Sequence, residues 1–284
     1  MSSTNGEVKA VDKRNTLNEL PGKEWIQETK SFFFQKGLGA NSPEAKFEKM
    51  HPAPFSFTDV MKLIRFFTKS EDRVLDPFSG VGSTIKACHE LNRIGYGVEL
   101  SSEWFQITKE RLLKESNHVI GDDYLKCDDS RNLTKIFKKD FFDFIVTSPP
   151  YWNILEKKDH KANERVMNGH ATKYSEDDMD LGNIEKYEDF LSELSKIFFQ
   201  CYDILKPGKY MCVVVSDFRH KSKFHAFHAD LIQQLTNEKR KKHFQLKGVK
   251  VLLQNAKKLY PYGYPFSYVE NIHHQYILVL QKAK

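Results

Sequence analysis

The chain has no run of apolar residues approaching the ~20 that cross a bilayer, and its first residues carry no apolar core of a secretory signal. Its four cysteines, Cys88, Cys127, Cys201 and Cys212, form no CxxC pair, and three of them lie in apolar surroundings. A disulfide frame is therefore not expected, and the thiols read as reduced core residues of an intracellular protein. His225 and His228 are spaced i, i+3 but no third ligand stands nearby, so no metal site is expected. Neither sign of charge dominates. The formal net charge of +6 permits a polyanionic partner without requiring one. What remains is a cytoplasmic protein with no membrane partner, long enough at 284 residues for one large α/β domain or two small ones.

Residues 1–18 are polar and mixed in charge, as in a loose tail. Trp25 and Phe32-Phe33-Phe34 then supply enough aromatic mass to dock on a larger body, as an edge element or as a flap facing a substrate. The expected organisation is a tail and docking segment over 1–44, followed by one domain over 45–284.

One stretch organises that domain. Phe144, Ile145 and Val146 read as a buried strand that stops at Ser148-Pro149-Pro150-Tyr151. Two consecutive prolines remove two backbone donors, so the sheet cannot continue there. The turn leaves acceptors, the Ser148 hydroxyl and the carbonyls of Ser148 and Pro149, beside the ring of Tyr151. Acceptors next to a flat ring suit a planar group that bears an NH2, such as a nucleobase. Taken alone, the same four residues are equally a stiff turn.

A second motif lies upstream. Residues 57–68 carry apolar side chains at helical spacing, with Thr58 or Asp59 as the expected N-cap. Arg73-Val74-Leu75-Asp76 then reads as a strand, Pro77-Phe78-Ser79-Gly80-Val81-Gly82-Ser83-Thr84 as a glycine turn entering a helix, and Gly95-Tyr96-Gly97-Val98-Glu99 as the next strand, ending in an acid. Strand, glycine turn, helix, strand and acid make a Rossmann-like nucleotide site, in which the acid accepts from ribose hydroxyls. The order Asp-Pro-Phe-Ser-Gly-x-Gly departs from the dinucleotide fingerprint Gly-x-Gly-x-x-Gly. Asp76 would repel a pyrophosphate and favours a cationic sulfonium ligand instead.

Together, Asp76 to Thr84 and Thr147-Ser148-Pro149-Pro150-Tyr151 resemble the S-adenosylmethionine-dependent DNA amino-methyltransferases, which methylate the exocyclic amine of cytosine (N4) or adenine (N6). His51-Pro52-Ala53-Pro54-Phe55 resembles the His-Pro element that precedes the glycine motif in many of them. The resemblance covers roughly residues 45–284. It implies a class I methyltransferase fold of the Rossmann-like α/β type: a mostly parallel seven-stranded sheet, helices on both faces and a C-terminal antiparallel strand pair. It further implies that S-adenosyl-L-methionine contacts Pro54, Phe55, Asp76, Phe78, Ser79, Gly80, Gly82, Ser83, Thr84 and Glu99. A third cofactor contact falls at Asp129 with Ser130, with Asp128 nearly equivalent; an acidic helix cap is the simpler reading of the same residues.

The rest of the chain is read in the same frame. Residues 102–113 form a helix with Lys109, Glu110 and Arg111 on its exposed face. Residues 153–183 lack periodicity and directly follow the Pro-Pro-Tyr turn, which suggests a lid over the substrate. A long amphipathic helix over 187–205 is ended by Pro207-Gly208, and a buried strand follows over 210–215. Arg219, Lys221 and Lys223 then gather where a DNA backbone would pass. Lys239-Arg240-Lys241-Lys242 reads as the end of the following helix. Strands over 248–254 and 276–280 flank an aromatic loop, Tyr260 to Tyr268, that either stacks on bases or packs over the sheet end.

The expected activity is site-specific methylation of double-stranded DNA. Ser148, Pro149, Pro150 and Tyr151 are the catalytic group: the acceptors draw the flipped amine toward a tetrahedral shape, and Tyr151 stacks on the base. Serine at the first motif position favours cytosine-N4 over adenine-N6 within the family. An RNA amino-methyltransferase and a non-catalytic cofactor- or DNA-binding subunit are the alternatives. The reading is compatible with nucleoid association, a homodimer and a cognate restriction endonuclease in a restriction-modification system. The motif order here, glycine motif before catalytic motif, reverses that of many Ser-Pro-Pro-Tyr relatives, as a circular permutation would.

Overall fold

The computed structural model describes residues 10–35, 43–51, 56–152, 179–220 and 222–284. A short helix α1 (Gly22–Glu28) leads to strand β1 (Phe32–Phe34) and helices α2 (Pro43–Met50) and α3 (Phe57–Phe67). The motif region follows as β2 (Arg73–Asp76), α4 (Ser83–Glu90), β3 (Ile94–Glu99), α5 (Ser102–Ser116), β4 (Leu125–Cys127), α6 (Leu133–Ile136) and β5 (Phe142–Thr147). The C-terminal half contributes α7 (Tyr187–Ile204), β6 (Leu205–Val215), a hairpin β7 (Phe218–His220) and β8 (Lys223–His225), α8 (Phe227–Leu235), β9 (Gln245–Leu253) and β10 (His274–Gln281).

Eight of these strands form one sheet in the order β1-β9-β10-β6-β5-β2-β3-β4. Strands β6, β5, β2, β3 and β4 pair in parallel, β10 runs antiparallel to both β6 and β9, and β1 is parallel to β9. The architecture is the expected Rossmann-like α/β fold with one strand more than the expected seven. The addition is Phe32–Phe34: the aromatic docking segment is the sheet's edge strand, in register with Val251–Leu253.

Side chains alternate across the sheet, and both faces are covered. Val74, Phe144, Val146, Cys212 and Val214 pack with Val60, Leu63, Ile64 and Phe67 of α3 on one side. On the other, Leu75, Ile145, Met211, Val213 and Val215 meet Phe190, Leu194, Ile197 and Phe198 of α7 and Leu231 of α8. Burial on both faces explains why the central strands read as continuous apolar runs. Cys88, Cys201 and Cys212 are buried free thiols, whereas Cys127 is exposed. Among the described residues no helix is long and apolar enough to cross a membrane.

Several local expectations are corrected. Ser56, not Thr58 or Asp59, occupies the N-cap position of α3, and Asp59 is buried, accepting from Gln35 Nε2 at 3.0 Å. Pro207-Gly208 does not separate helix from strand. Strand β6 starts at Leu205 and carries both residues through a register shift against β5, with Gly208 at φ 75°. Helix α8 ends at Leu235, so Lys239 to Lys242 lie beyond it in a turn, where Lys242 pairs with Asp203 at 2.7 Å, next to the start of β6. That basic run is thus at the sheet edge opposite the carboxyl ends of the parallel strands. Arg111, expected on the exposed face of α5, is fully buried, while its neighbour Leu113 is exposed.

Candidate active site

Because β2, β3, β4 and β5 are parallel, their carboxyl ends deliver Asp76, Glu99, Cys127 and Thr147 to a single edge. Open α/β sheets place their ligands at that edge. A cavity of about 670 Å³, including its open mouth, lies there.

The glycine turn forms one wall through Pro77, Phe78 and Gly80. The turn is tight: Gly80 and Gly82 have φ of 51° and 74°. A Cβ on Gly82 would lie 2.4 Å from Thr108 Cγ2, so only glycine lets α5 pack this closely. Thr108 Oγ1 donates to the Gly80 carbonyl at 2.8 Å and fixes the turn from behind. Arg111 braces it a second time, with Nη1 donating to the Val81 carbonyl (3.1 Å) and Ser83 Oγ (3.0 Å) while the guanidinium pairs with Glu48 and Glu115.

Asp76 holds the two sequence motifs together. Its Oδ1 accepts from Thr147 Oγ1 (2.6 Å) and Phe78 N (3.0 Å), and its Oδ2 accepts from Thr84 Oγ1 (2.6 Å). Burial pushes its carboxyl up to about 6, against the pull of those three donors. The carboxylate is thereby engaged within the chain, joining the end of β2 to the first turn of α4 and to the last residue before Ser148. Asp76, Ser79, Gly82, Ser83 and Thr84 stand behind the cavity lining, while Phe78 and Gly80 form part of it.

Glu99 does face the cavity. Its Oε2 accepts from Gly80 N at 2.7 Å and its Oε1 from Ser101 N at 2.9 Å. Burial pushes this carboxyl up to about 7, with the two backbone donors opposing the shift. Each oxygen retains a lone pair, and a carboxylate so placed can accept from a pair of vicinal hydroxyls.

Opposite stand Asp129, Ser130 and Arg131. Asp129 caps the 3-10 turn Ser130–Asn132 by accepting from Arg131 N (2.8 Å), and Ser130 Oγ donates to the Pro77 carbonyl. The pair thus caps a turn and lines the cavity. Asp128 does not line it, and spends its carboxylate on Asp129 N and Asn132 Nδ2.

Ser148, Pro149 and Pro150 complete the wall next to Phe78 and Ile197. Tyr151 turns away from this cavity: its ring meets Phe218 and Phe227 edge-on at 6.4 and 6.2 Å. Gln275 Nε2 approaches its hydroxyl at 3.4 Å, and burial raises that hydroxyl to about 12, so it stays protonated at neutral pH. Next along the chain, Trp152 anchors the turn by donating from Nε1 to the Ile184 carbonyl at 2.8 Å.

The β7–β8 hairpin follows β6 at this same edge and carries Arg219 and Lys223. Arg219 lies 5.1 Å over the Phe224 ring and donates to the Glu270 carbonyl at 2.9 Å. Pro54, Phe55 and Lys221 fall outside the described residues, as does most of the expected lid, residues 153–178.

Several lining residues carry no distinct signal in their sequence context. Trp104 fits the helical apolar pattern of α5 as a core residue, yet it borders the cavity beside His51, the rings 5.1 Å apart. Asp180, at the end of the aperiodic stretch 153–183, is buried, caps the short turn Leu181–Asn183 and lines the cavity with Met179 and Leu181. Arg131 reaches across to the Met179 carbonyl at 2.8 Å. The residue types alone carry no mark of that position.

A family model described as DNA methylase, of the N6/N4 methyltransferase type, matches residues 3–110 and 142–284. The type II methyltransferase M.HpaI of Haemophilus parainfluenzae is 30% identical over 131 residues, 45% of this chain and 40% of that protein. The type II beta methyltransferase M.BslI of a Bacillus species is 40% identical over 67 residues, 23% of this chain and 7% of the relative. The matches thus span less than half the length of these relatives. Among solved structures, TrmN from Thermus thermophilus superposes with a TM-score of 0.49 at 16% identity, covering 80% of this chain and 48% of TrmN.

Proposed function

The chain belongs to the N4/N6 DNA methylase family, and on that premise we propose that it transfers a methyl group from S-adenosyl-L-methionine to the exocyclic amine of a base flipped out of double-stranded DNA. The observation that carries the reading is the shared cavity: the glycine turn, Glu99 and Asp129–Ser130 line it together with Ser148-Pro149-Pro150.

The cavity's lining suits the cofactor. Glu99 presents a carboxylate for ribose hydroxyls, Phe78, Trp104 and Ile197 offer apolar contact for a purine, and the acids favour a cationic ligand. Bound there, S-adenosyl-L-methionine supplies an electrophilic methyl group on its sulfonium.

The chain's own residues prepare the nucleophile. An aromatic amine delocalises its lone pair into the ring and attacks poorly. The Ser148 hydroxyl and the Pro149 carbonyl accept from its two N–H groups and draw the nitrogen toward a tetrahedral shape, which localises the lone pair. Two prolines hold those acceptors in fixed orientation, so the rate comes from positioning and preset electrostatics. Asp76 relays the placement: through Thr147 and Thr84 it sets the distance between the catalytic turn and the glycine turn. The amine becomes cationic on attack and loses its proton to solvent, so no strong general base is required. The Tyr151 ring, braced by Phe218 and Phe227, is the stacking partner for the flipped base. Arg219 and Lys223 of the hairpin neutralise backbone phosphates.

Serine at the head of the catalytic turn favours cytosine-N4 as the acceptor. The test is transfer of labelled methyl to mixed-sequence duplex DNA, with the modified nucleoside identified by mass spectrometry. N4-methylcytosine is the expected product, N6-methyladenine would overturn the base assignment alone, and transfer only to RNA would overturn the substrate. Ser148→Ala should lower single-turnover transfer about a hundredfold or more with cofactor affinity retained.

A further inference from the structure

The long connection between β9 and β10 is the largest exposed aromatic feature among the described residues. Tyr264, Phe266 and Tyr268 are 81%, 93% and 87% exposed, and Leu259 is 77% exposed. Isolated surface aromatics are ordinary, but a run of large rings on one loop marks a surface that binds something.

The loop is built to present these rings. Asn271 clamps its neck from both sides, accepting from Tyr260 N (3.0 Å) and donating to the Tyr260 carbonyl (2.8 Å). At its tip Phe266 N and Ser267 N both donate to the Gly263 carbonyl, at 2.8 and 2.7 Å. Gly263 has φ 75°, and a Cβ there would lie 2.4 Å from the Ser267 carbonyl oxygen, so the turn requires glycine. Such a turn holds the rings out instead of letting them collapse onto the sheet.

Its position selects the partner. Because β10 is antiparallel to β6 and β9, the β9–β10 connection leaves the sheet at the edge where β5 and β6 end. The loop base touches both proposed DNA-facing parts: Glu270 accepts from Arg219, and Gln275 reaches the Tyr151 hydroxyl. Exposed Lys257 and Lys258 precede the rings. Flat rings beside cations, on the edge where a base is extracted, match unpaired nucleic-acid bases better than a protein surface.

We propose that residues 259–268 form a base-stacking surface for unpaired DNA bases, with Tyr264, Phe266 and Tyr268 as its platform. This rests on the DNA methyltransferase reading and adds to it. The surface takes up bases exposed when the duplex opens around the target nucleotide, and so favours the opened over the closed duplex.

The test compares the full chain with a Tyr264→Ala, Phe266→Ala, Tyr268→Ala variant in the presence of S-adenosylhomocysteine. Fluorescence anisotropy follows binding to a labelled mixed-sequence duplex and to the same duplex with a short central bubble. The wild type should favour the bubble, and the variant should lose that preference, with roughly tenfold weaker bubble binding per stacked ring. The salt dependence of binding should be unchanged in the variant, since no phosphate contact is removed, whereas Lys223→Ala should reduce it. Equal bubble affinity for both proteins would overturn the loop's role while leaving methyl transfer to DNA intact. A wild-type dimer that becomes monomeric in the variant, seen by light scattering, would overturn it in favour of self-association. Absence of binding to either DNA by the wild type would overturn the stacking surface and the DNA reading together.

Discussion

Glu99→Gln tests the proposed recognition of the cofactor ribose at the end of β3. The carboxylate takes one hydrogen bond on each oxygen from the glycine-turn side, Gly80 N at 2.7 Å and Ser101 N at 2.9 Å, and turns its remaining lone pairs to the cavity. A ribose that donates both hydroxyls to it gains two charge-assisted bonds. Glutamine keeps one acceptor oxygen and presents an NH2 where the other stood, so at least one of those bonds is lost, and the NH2 also meets the Gly80 or Ser101 N–H donor to donor. Hydrogen bonds to charged groups contribute about 1.5–3 kcal/mol each, which predicts about a ten- to hundredfold weaker cofactor. The pH dependence is the sharper readout. Burial has raised the free carboxyl to about 7, and only its ionised form accepts from both hydroxyls. Wild-type affinity should therefore be flat above that pH and fall as pH drops through it, approaching about tenfold per pH unit. The Gln variant should show no such step near neutrality. Isothermal titration of S-adenosylhomocysteine across that range measures both. Equal affinity and an equal pH step in the two proteins would refute the assignment of Glu99 to the ribose.

Gly82→Ala should cost about 3 kcal/mol, combining the left-handed backbone penalty with the contact to Thr108; adding Thr108→Ser should restore the steric part alone, read from urea midpoints. Arg111→Leu removes a buried cation from between Glu48 and Glu115 and should destabilise by about 3–5 kcal/mol, also by urea unfolding, because the acids remain. Asp76→Asn tests the raised carboxyl. A folded-state value near 6 exceeds the unfolded one, so this group's favourable contribution is complete at low pH and lost as pH rises through it. The stability of the variant relative to wild type should then improve by roughly 3 kcal/mol from about pH 4 to about pH 8, and a pH-independent difference would count against an ionisable, buried Asp76.

The parts of the chain that read correctly are those where local rules agree. Val74 to Asp76 and Phe144 to Thr147 carry strand patterning that ends abruptly in Gly or Pro, and both motifs reach the expected sheet edge. Misreadings fall where a tertiary partner overrides the local rule. Arg111 is charged and next to exposed Glu110, so helix periodicity alone cannot show that Glu48, 63 residues away, makes its burial tolerable. Pro207 and Gly208 are strong breakers, yet β6 absorbs them because the register shift against β5 falls where the proline has no donor to offer. Asp76 ends a strand beside a glycine turn, and nothing local shows what else its carboxylate holds. Its three donors come from positions 78, 84 and 147, and the last of these is distant in sequence.

Motif order carries little weight in such a fold. Asp76, Glu99 and Thr147 arrive at one edge because their strands are parallel, whichever strand comes first along the chain. The single antiparallel strand matters in a different way. If β10 ran with its neighbours, the β9–β10 connection would have to cross the sheet and its aromatic residues would be consumed in packing. Running against them, it returns directly at the edge where β5 ends, and the connection is left free to form a surface there. The same reversal puts Gln275 beside Tyr151 and Glu270 beside Arg219. The proposed cofactor cradle and amine acceptors, the basic hairpin and the aromatic loop thus share one edge as a consequence of strand direction. The proposed DNA-facing surface is in this way assembled from the connections of the sheet rather than from its strands.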